Sequence, residues 1–273
     1  MALFSGVFHA GWNVIAKRSL EPRGAALAIL TADFVIMGFV TPFVPHAITW
    51  SAVPWIALAA IGEAGYVVSL GIALSKGDLG VTYGVSRSVA LLAVWPLGYI
   101  IFHDVPSSAA WVATGFLCVG MLLCQPRSSD TKKSLMSWPW TIATGLFVGV
   151  YHTAYKGSVH AGADAITTFT GSIAIAVPLL WLIAPREVQR SATNVVRTQW
   201  RTTLLAGVMS TASFVLAVLA LSMTQSGRVL GLRNGSIGYA ALFALWLGER
   251  PSQRQWLGLA TLFAGVIVLV IAA

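Results

Sequence analysis

Residues 202–224 of this chain read TTLLAGVMSTASFVLAVLALSMT and contain no charged side chain. A helix rises about 1.5 Å per residue, so about 20 apolar residues are enough to cross the hydrocarbon core of a bilayer. Residues 202–224 therefore predict a membrane-spanning helix.

The composition indicates that lipid is the main solvent of the whole chain. Of the 273 residues, 57% are hydrophobic and only 10% are charged, and the mean hydropathy is +0.79. A soluble domain carries about 25% charged residues. The net charge of +8 does not predict nucleic-acid binding, because the Lys and Arg residues cluster between apolar runs rather than on one basic face. We expect the bilayer, and no nucleic acid, as a partner.

A scan for similar runs predicts an all-α membrane protein with ten transmembrane helices. Pro residues lie in the connections and Trp residues lie near the run ends, as expected for helix boundaries at a membrane interface. The ten runs are 1–16, 24–44, 51–74, 79–102, 107–124, 138–157, 163–184, 202–224, 227–247 and 254–272.

The loop charges predict the orientation. On the side of the amino terminus we count only Lys156 and Arg228, which lie at the ends of their runs, whereas thirteen basic residues lie on the other side. Basic loops face the cytoplasm. The count therefore predicts a multi-pass protein of the cell (inner) membrane with both termini on the outer side. The thirteen are Lys17, Arg18, Arg23, Lys76, Arg127, Lys132, Lys133, Arg186, Arg190, Arg197, Arg201, Arg250 and Arg254.

The two halves of the chain resemble each other. Residues 3–10 (LFSGVFHA) match residues 146–153 (LFVGVYHT), and a second set matches at nearly the same offset. That set pairs Asp104, Pro106, Trp111, Leu117 and Gly120 with Glu249, Pro251, Trp256, Leu262 and Gly265. A third set pairs Gly80, Gly84 and Arg87 with Gly227, Gly231 and Arg233. We therefore predict a first five-helix repeat over 1–125, a linker over 126–137 and a second five-helix repeat over 138–273.

An odd number of helices per repeat has a topological consequence. The second copy must enter the bilayer from the opposite face, which gives an inverted repeat. Inverted repeats are typical of secondary transporters, because they provide similar inward-open and outward-open arrangements around one site. We expect a secondary transporter that exports a small molecule by alternating access.

Two acids and two arginines lie inside the predicted helices, away from the helix ends: Asp33, Glu63, Arg87 and Arg233. Each costs about 2.5–3.5 kcal/mol on insertion scales and usually faces a cavity or a partner. One interpretation is that the acids and arginines form structural ion pairs. The other is that an acid, Glu63 more than Asp33, carries a proton for coupled transport, because burial favours the neutral carboxylic acid.

Helical spacing places further polar residues on shared faces. His9, Trp12 and Asn13 have the i, i+3, i+4 spacing, and the sixth run repeats it, while Glu63 and Tyr66 share a face of the third. A hydrogen-bonded structural role remains the alternative for each His. The candidates for the wall of a substrate cavity are His9, Trp12, Asn13, Tyr66, Tyr83, Arg87, His152, Tyr155, Lys156, Arg233 and Asn234.

Enzyme motifs are absent from the sequence. It contains no HExxH, no GxSxG and no GxxxxGK[ST] motif, so we expect no catalytic residues, no metal, no cofactor and no ATP-driven transport. A membrane-embedded enzyme that acts on a lipid is the alternative, with His9 or His152 and Glu63 or Asp33 as base and acid. A non-transporting membrane partner of another system is a third hypothesis.

Three segments, in this order and spacing, carry a family resemblance: HAGWN at residues 9–13, GDL at residues 77–79 leading to Tyr83 and Arg87, and LGERP at residues 247–251. Together they resemble the EamA-type branch of the drug/metabolite transporter (DMT) superfamily over essentially the whole chain. The resemblance implies ten helices in two inverted halves, a central cavity, and export or exchange of small metabolites, amino acids or drugs. A homodimer remains open.

Two features depart from the family pattern. His103-Asp104 stands in the first repeat where the second has Gly248-Glu249-Arg250. Well-understood members also place both termini in the cytoplasm, whereas the loop charges of this chain predict the opposite.

Overall fold

The computed structural model describes residues 1–17, 22–76, 79–124, 131–239 and 252–271. Within these ranges the chain forms eleven α-helices, two short 3-10 turns and no β-strand. The helices are α1 (Ala2–Lys17), α2 (Pro22–Val40), α3 (Val53–Lys76), α4 (Leu79–Phe102), α5 (Ser108–Cys124), α6 (Thr131–His160), α7 (Ala165–Ile183), α8 (Arg186–Thr198), α9 (Trp200–Leu221), α10 (Ser226–Asn234) and α11 (Gln253–Ile271).

The described helices make the chain a multi-pass α-helical membrane protein. Two further helices, α1 and α5, contain shorter apolar stretches. Many large apolar side chains are exposed, for example Phe43 at 76% and Leu182 at 81%, which suits a surface in contact with lipid rather than water. Six segments are long and apolar enough to cross a membrane: Gly24–Phe43, Trp50–Ala73, Gly84–Phe102, Ala165–Ile183, Trp200–Leu221 and Gln253–Ile271.

One helix start and one additional helix differ most from the sequence prediction. Helix α6 begins at Thr131 rather than at residue 138, and the connection after α7 contains the separate helix α8. Helix α8 has the sequence REVQRSATNVVRT, in which apolar residues recur at helical spacing on one face only. A search for long apolar runs therefore missed it.

The ninth predicted run is not one continuous helix. Helix α10 ends at Asn234, Gly235 forms a turn, and residues 236–239 are helical again. The Gly235 N–H donates to the Leu232 carbonyl at 3.2 Å, a three-residue spacing that tightens the helix end. The break puts Arg233 and Asn234 in the last turn of α10. Residues 240–247 of the predicted run, and the 247–251 motif, lie outside the described residues.

The chain divides into two compact units. Unit 1 consists of Met1–Ala64 and Ala154–Met223, and unit 2 consists of Gly65–Thr153 and Thr224–Ala273. The chain leaves unit 1 within α3 and returns to it within α6, so each unit contains helices from both predicted repeats.

In unit 2, the fifth helices of the two predicted repeats, α5 and α11, pack directly together. A Cβ atom at Gly120 would lie 2.6 Å from the Leu262 nitrogen, and one at Gly265 would lie 3.1 Å from the Leu117 nitrogen. The lack of a side chain thus lets the backbones meet, as small residues do in membranes. Gly120 faces Leu262, and Leu117, earlier in α5, faces Gly265, later in α11. The two helices are therefore antiparallel.

The fourth helices of the two predicted repeats, α4 and α10, also meet in unit 2. Gly227 lies against the indole ring of Trp95, and a Cβ atom at Gly231 would lie 3.8 Å from Leu91 Cδ1. The later residue of α10, Gly231, thus contacts the earlier residue of α4, Leu91. Helices α4 and α10 are therefore antiparallel as well.

In unit 1, the second helices of the two predicted repeats are α2 and α7. The Trp181 indole N–H donates to the Thr31 hydroxyl at 2.9 Å, and the hydroxyls of Thr41 and Thr170 are 2.8 Å apart. Since Thr41 directly follows α2, the two contacts run in opposite directions along the two helices. Helices α2 and α7 are antiparallel too.

Asp164 fixes the start of α7. Its carboxylate accepts hydrogen bonds at 2.9 Å from both the backbone N–H and the hydroxyl of Thr167, and a further one from the backbone N–H of Ala47. Burial by itself raises the pKa of Asp164, but these hydrogen bonds outweigh it and hold that pKa below its usual value. The cap joins α7 to the segment that follows α2.

Candidate functional site

The buried polar residues of unit 2 centre on Arg233 and His152. Both side chains are fully buried, and Arg233 Nη1 lies 3.1 Å from His152 Nε2. A guanidinium has only donors, so Nε2 must be the acceptor and the ring proton lies on Nδ1. His152 is therefore a neutral imidazole in this arrangement, and Arg233 supplies the positive charge.

Two tyrosines surround this pair. Tyr151 hydrogen-bonds with Arg233, and its ring centroid is 5.1 Å from that of His152. Tyr66 contacts Tyr151 edge to face at 6.1 Å between centroids. Aromatic rings in this geometry offer an apolar surface with a polar edge to an organic molecule.

A second positive charge lies nearby in unit 2. Arg87 on α4 is 4% exposed, and its charge acts on both His152 and Arg233. The packing of α4 on α10 places the two arginines in the same cluster. Two like charges close together favour a bound anion over a bound cation.

Asn234 is the next residue after Arg233 and is 1% exposed. Within the described part of the chain its side-chain Nδ2 atom has no hydrogen-bond partner. A buried amide without a partner loses free energy, so a bound polar molecule is one way to satisfy it. This observation makes Asn234 part of the candidate site.

Unit 1 contains a different cluster, built around Glu63 of α3. The Tyr155 hydroxyl on α6 donates a hydrogen bond to Glu63 Oε1, and the Ser172 hydroxyl on α7 lies 3.1 Å from the same oxygen. Glu63 is 5% exposed, and both partners are completely buried. The sequence predicted Glu63 and Tyr155 in separate roles, and the structure brings them together.

Aromatic rings pack against Tyr155, the partner of this buried carboxyl group. Phe169 and Phe214 stack in parallel at 5.1 Å between centroids, and Tyr155 meets Phe214 edge to face at 6.5 Å. A carboxyl group in such surroundings has a large desolvation cost when it is ionised. The neighbourhood therefore suits a group that gains and loses a proton.

Asp33 is held differently. Ser210 and Thr211, both on α9, donate one hydroxyl each to the two carboxylate oxygens, at 2.8 and 3.1 Å. The contact joins α2 to α9 through two neighbouring residues. This geometry favours a structural role for Asp33.

The predicted polar face of α1 exists, and two hydrogen bonds join its residues. The Trp12 indole N–H donates to His9 Nδ1 at 3.2 Å, and the Asn13 amide donates to the His9 carbonyl at 2.6 Å. His9 is buried, whereas Trp12 and Asn13 are half-buried. The three residues share a face, as their spacing predicts.

The remaining candidates are only partly placed. Lys156 is 3% exposed and belongs to unit 1, one residue after Tyr155. The side chain of Tyr83 lies outside the described residues, although its backbone is in α4. Among the described residues, no group of three or more His, Cys, Asp or Glu side chains is arranged to hold a metal ion.

Sequence reasoning missed the partners that come from distant segments. Ser172, Phe169 and Phe214 complete the Glu63 cluster, and Tyr151 completes the Arg233 cluster. Ser172 lies in an apolar run and shows no distinctive spacing. Tyr151 adjoins His152 inside the repeated 146–153 segment, which was the one available signal.

Comparison with known proteins agrees with the membrane-transporter fold. Residues 136–271 match the model of the EamA-like transporter family. A relative from a Sinorhizobium species, named an uncharacterized transporter in the cobO 3' region, is 25% identical over 137 residues, which are 50% of this chain and 97% of that protein. A protein crystal structure that is 13% identical has a TM-score of 0.75 and covers 100% of this chain and 94% of its own.

Proposed function

Through residues 136–271 the chain belongs to the EamA-like transporter family, and we propose that it is a proton-coupled secondary transporter. The match confirms the family resemblance for the second half of the chain, which contains the 247–251 motif, and the protein is a membrane transporter of the DMT type. In the proposed function it exports a small metabolite, amino acid or drug by alternating access.

The proposed architecture is ten membrane crossings in two inverted five-helix repeats. Equivalent helices of inverted copies must cross the membrane in opposite directions. Helices α2 and α7, α4 and α10, and α5 and α11 are each antiparallel within their unit, which supports the proposal. The reciprocal contacts of Gly120 with Leu262 and Leu117 with Gly265 give further support, because these residues align in the repeat.

The relative from Sinorhizobium supports the duplication independently. Half of this chain corresponds to 97% of that relative. The matched part, 137 residues, is about as long as one predicted repeat. This relation fits an origin of the chain by joining two copies of one unit, the arrangement on which alternating access depends in many transporters.

The surroundings of Glu63 support proton coupling, and they are the observation that carries this part of the proposal. The Ser172 hydroxyl lies 3.1 Å from Glu63 Oε1 and 3.0 Å from the Phe169 carbonyl. It has one proton and cannot serve both acceptors at once. A protonated Glu63 can donate to Ser172 while Ser172 donates to Phe169, and an ionised Glu63 can accept from Ser172 instead. Both protonation states therefore have hydrogen-bond partners.

The histidines weigh against the lipid-enzyme hypothesis. His152 Nε2 accepts from Arg233, and His9 Nδ1 accepts from Trp12. A neutral imidazole has one basic lone pair, and in both residues a donor already occupies it. Neither ring is arranged to act as a general base. This geometry favours transport over catalysis.

The test is flux in proteoliposomes with a panel of radiolabelled amino acids, organic acids and cationic drugs, with and without a pH gradient. We expect at least one compound whose flux rises with the gradient, and loss of that rise in Glu63→Gln. Asp33→Asn is the matched control. It also removes a buried carboxylate, but one that accepts hydrogen bonds from two hydroxyls of α9 and that we assign a structural role. The absence of flux for every compound in the panel would contradict transport. An unchanged effect of the pH gradient in Glu63→Gln would contradict proton coupling.

The orientation and the assembly complete the proposal. From the loop charges, we propose that the basic loops face the cytoplasm and that both termini lie outside the inner membrane. A small-molecule substrate is required, and a homodimer is compatible with the proposed function. Labelling of single cysteines at His46 and at Arg190, which are both exposed, with a membrane-impermeant reagent in intact cells tests the orientation. His46→Cys, in the loop on the side of the amino terminus, should react and Arg190→Cys should not.

A further inference from the structure

Helix α8 has a polar face that carries three arginines. At about 100° per residue, Arg186, Arg190 and Arg197 fall within about 40° of one another around the helix axis. The opposite face carries Ala192 and Val195, which are buried. The single acid of the helix, Glu187, lies at the edge of the polar face.

Several contacts fix α8 against the helices around it. The Gln189 amide donates to the carbonyls of Trp181 and Ala184, at 2.8 and 2.9 Å, which ties α8 to the end of α7. A Cβ atom at Gly24 would lie 2.8 Å from the Ala192 nitrogen, so the first turn of α2 rests on the α8 backbone. All these residues belong to unit 1.

The neighbours of α8 along the chain place it at the membrane surface. It joins the end of α7 to the start of α9, and both are apolar enough to cross the bilayer. A short helix in such a position, with one apolar and one basic face, is typical of the membrane interface. Its arginines therefore lie at the level of the lipid headgroups.

A groove of about 330 Å³ opens along this face of α8. Its two guanidinium groups belong to Arg190 and Arg197, which are seven positions apart and exposed. Its other polar side chains include amides and a hydroxyl. The groove is lined by Trp181, Gln189, Arg190, Thr193, Asn194 and Arg197.

We propose that this groove binds the phosphate headgroup of an anionic phospholipid. Guanidinium groups bind phosphate oxygens through paired hydrogen bonds. Arg190 and Arg197 each supply one guanidinium group. Leu182 and Ile183, which follow the groove residue Trp181 at the end of α7, are 81% and 52% exposed. These side chains offer an apolar surface to the acyl chains of a lipid. A free phosphate has no apolar part that could contact this surface.

The site has a consequence for orientation. Anionic lipids are concentrated in the cytoplasmic leaflet, where they attract basic segments of membrane proteins. A lipid held by Arg190 and Arg197 would keep this side of unit 1 in that leaflet. The inference does not depend on the transported substrate or on proton coupling.

The test is native mass spectrometry of the purified full-length protein with dioleoyl phosphatidylglycerol and, separately, dioleoyl phosphatidylcholine. We expect phosphatidylglycerol to remain bound at least tenfold better than phosphatidylcholine. The variant Arg190→Gln/Arg197→Gln should lose this preference. The control Lys76→Gln/Arg254→Gln removes the same charge from unit 2 and should keep it, while Arg190→Lys/Arg197→Lys should keep part of it.

Three outcomes would overturn the proposal. Equal binding of the two lipids would show that the headgroup charge is not recognised. An equal loss in the groove variant and the control would indicate only a general effect of net charge. Displacement of phosphatidylglycerol by millimolar inorganic phosphate would indicate a phosphate site without a role for the acyl chains. Size-exclusion chromatography of each variant checks that it remains folded.

Discussion

Among the described residues, the buried carboxyl groups lie in unit 1 and the buried guanidinium groups lie in unit 2. Unit 1 buries the carboxyl groups of Asp33 and Glu63 together with Lys156, whereas the buried charges described in unit 2 are the arginines Arg87 and Arg233. The carboxyl groups meet hydroxyls, which can donate or accept. Arg233 meets an imidazole and a phenol and keeps its proton at any physiological pH.

This difference separates two tasks that a coupled transporter needs. A carboxyl group among hydroxyls and aromatic rings can change its protonation state, as Glu63 can beside Tyr155 and Ser172. A guanidinium is a fixed charge, suited to hold an anionic group of a substrate. We therefore propose that unit 1 binds the proton and that unit 2 recognises the charge of the substrate.

The largest effect should follow from removing the fixed charge of unit 2. We expect Arg233→Gln to reduce flux of the transported compound about 10- to 100-fold, because a hydrogen bond to a charged group is worth about 1.5–3 kcal/mol. Arg233→Lys should be intermediate, since an ammonium keeps the charge but not the paired donors. Initial rates in proteoliposomes measure this effect.

Arg228→Gln provides the control on the same helix, because Arg228 is half-buried and one and a half turns earlier in α10. Its flux should stay within about twofold of the unmodified protein, as for a substitution outside the site. Equal losses in both variants would mean that α10 needs its basic residues for folding, and the assignment of substrate binding to unit 2 would be wrong.

The next effect concerns Glu63, the carboxyl group of unit 1 that we propose binds the proton. In Glu63→Gln we expect exchange without a gradient to persist and its acceleration by a pH gradient to vanish, because an amide cannot release a proton. Tyr155→Phe removes one donor to Glu63 and should shift the pH at which flux is half-maximal. Asp33→Asn should keep the gradient effect. If Asp33→Asn abolished it and Glu63→Gln did not, the roles of the two acids would have to be exchanged.

The third effect tests the helix pairing in unit 2. A Cβ atom at Gly120 or Gly265 meets the backbone of the facing helix, whereas one at Gly115 on the outside of α5 meets nothing within 4 Å. Gly120→Ala and Gly265→Ala should each lower the free energy of unfolding by about 1–3 kcal/mol, as overpacking does. Gly115→Ala should be neutral or slightly stabilising.

Thermal unfolding in detergent measures these differences. The reciprocal contacts predict similar losses for Gly120→Ala and Gly265→Ala, with a double variant less destabilised than the sum, because one displacement of α11 relieves both contacts. A neutral Gly120→Ala would contradict the close packing of α5 on α11.

The sequence predicts the spans well because one physical length controls them. Hydrocarbon thickness sets the length of each apolar run, so α2, α7 and α9 lie where hydropathy puts them. The same criterion cannot detect α8, whose arginines lower its mean hydropathy. The helical spacing of Val188, Ala192 and Val195 was the signal that would have found it.

The site is less predictable because its partners come from distant segments. Spacing places His152 and Tyr155 on one face of α6, and the structure gives them different partners, Arg233 and Glu63. Ser172 lies more than 100 residues from Glu63 in the chain. Local periodicity identifies which side chains share a face, and only tertiary packing decides what each of them meets.

The smallest effect should come from Asp164, which lies outside the membrane spans and serves as a contrast with the buried acids. Asp164→Ala removes the cap of α7 and should lower the free energy of unfolding by about 1 kcal/mol, the usual value for a cap. Asp164→Asn should lose less, because its amide oxygen can still accept from the Thr167 N–H.

The pH dependence of that difference follows from the direction of the pKa shift. The folded protein holds the pKa of Asp164 below that of the unfolded chain, about 3.9. The stabilisation is therefore fully present above the unfolded pKa and is lost as the pH falls through the lower, folded value. Unfolding midpoints of Asp164→Ala and the unmodified protein should differ by the same amount from pH 8 to 5 and converge below pH 4. A difference that disappeared near neutral pH would mean that the group controlling α7 is not this carboxylate.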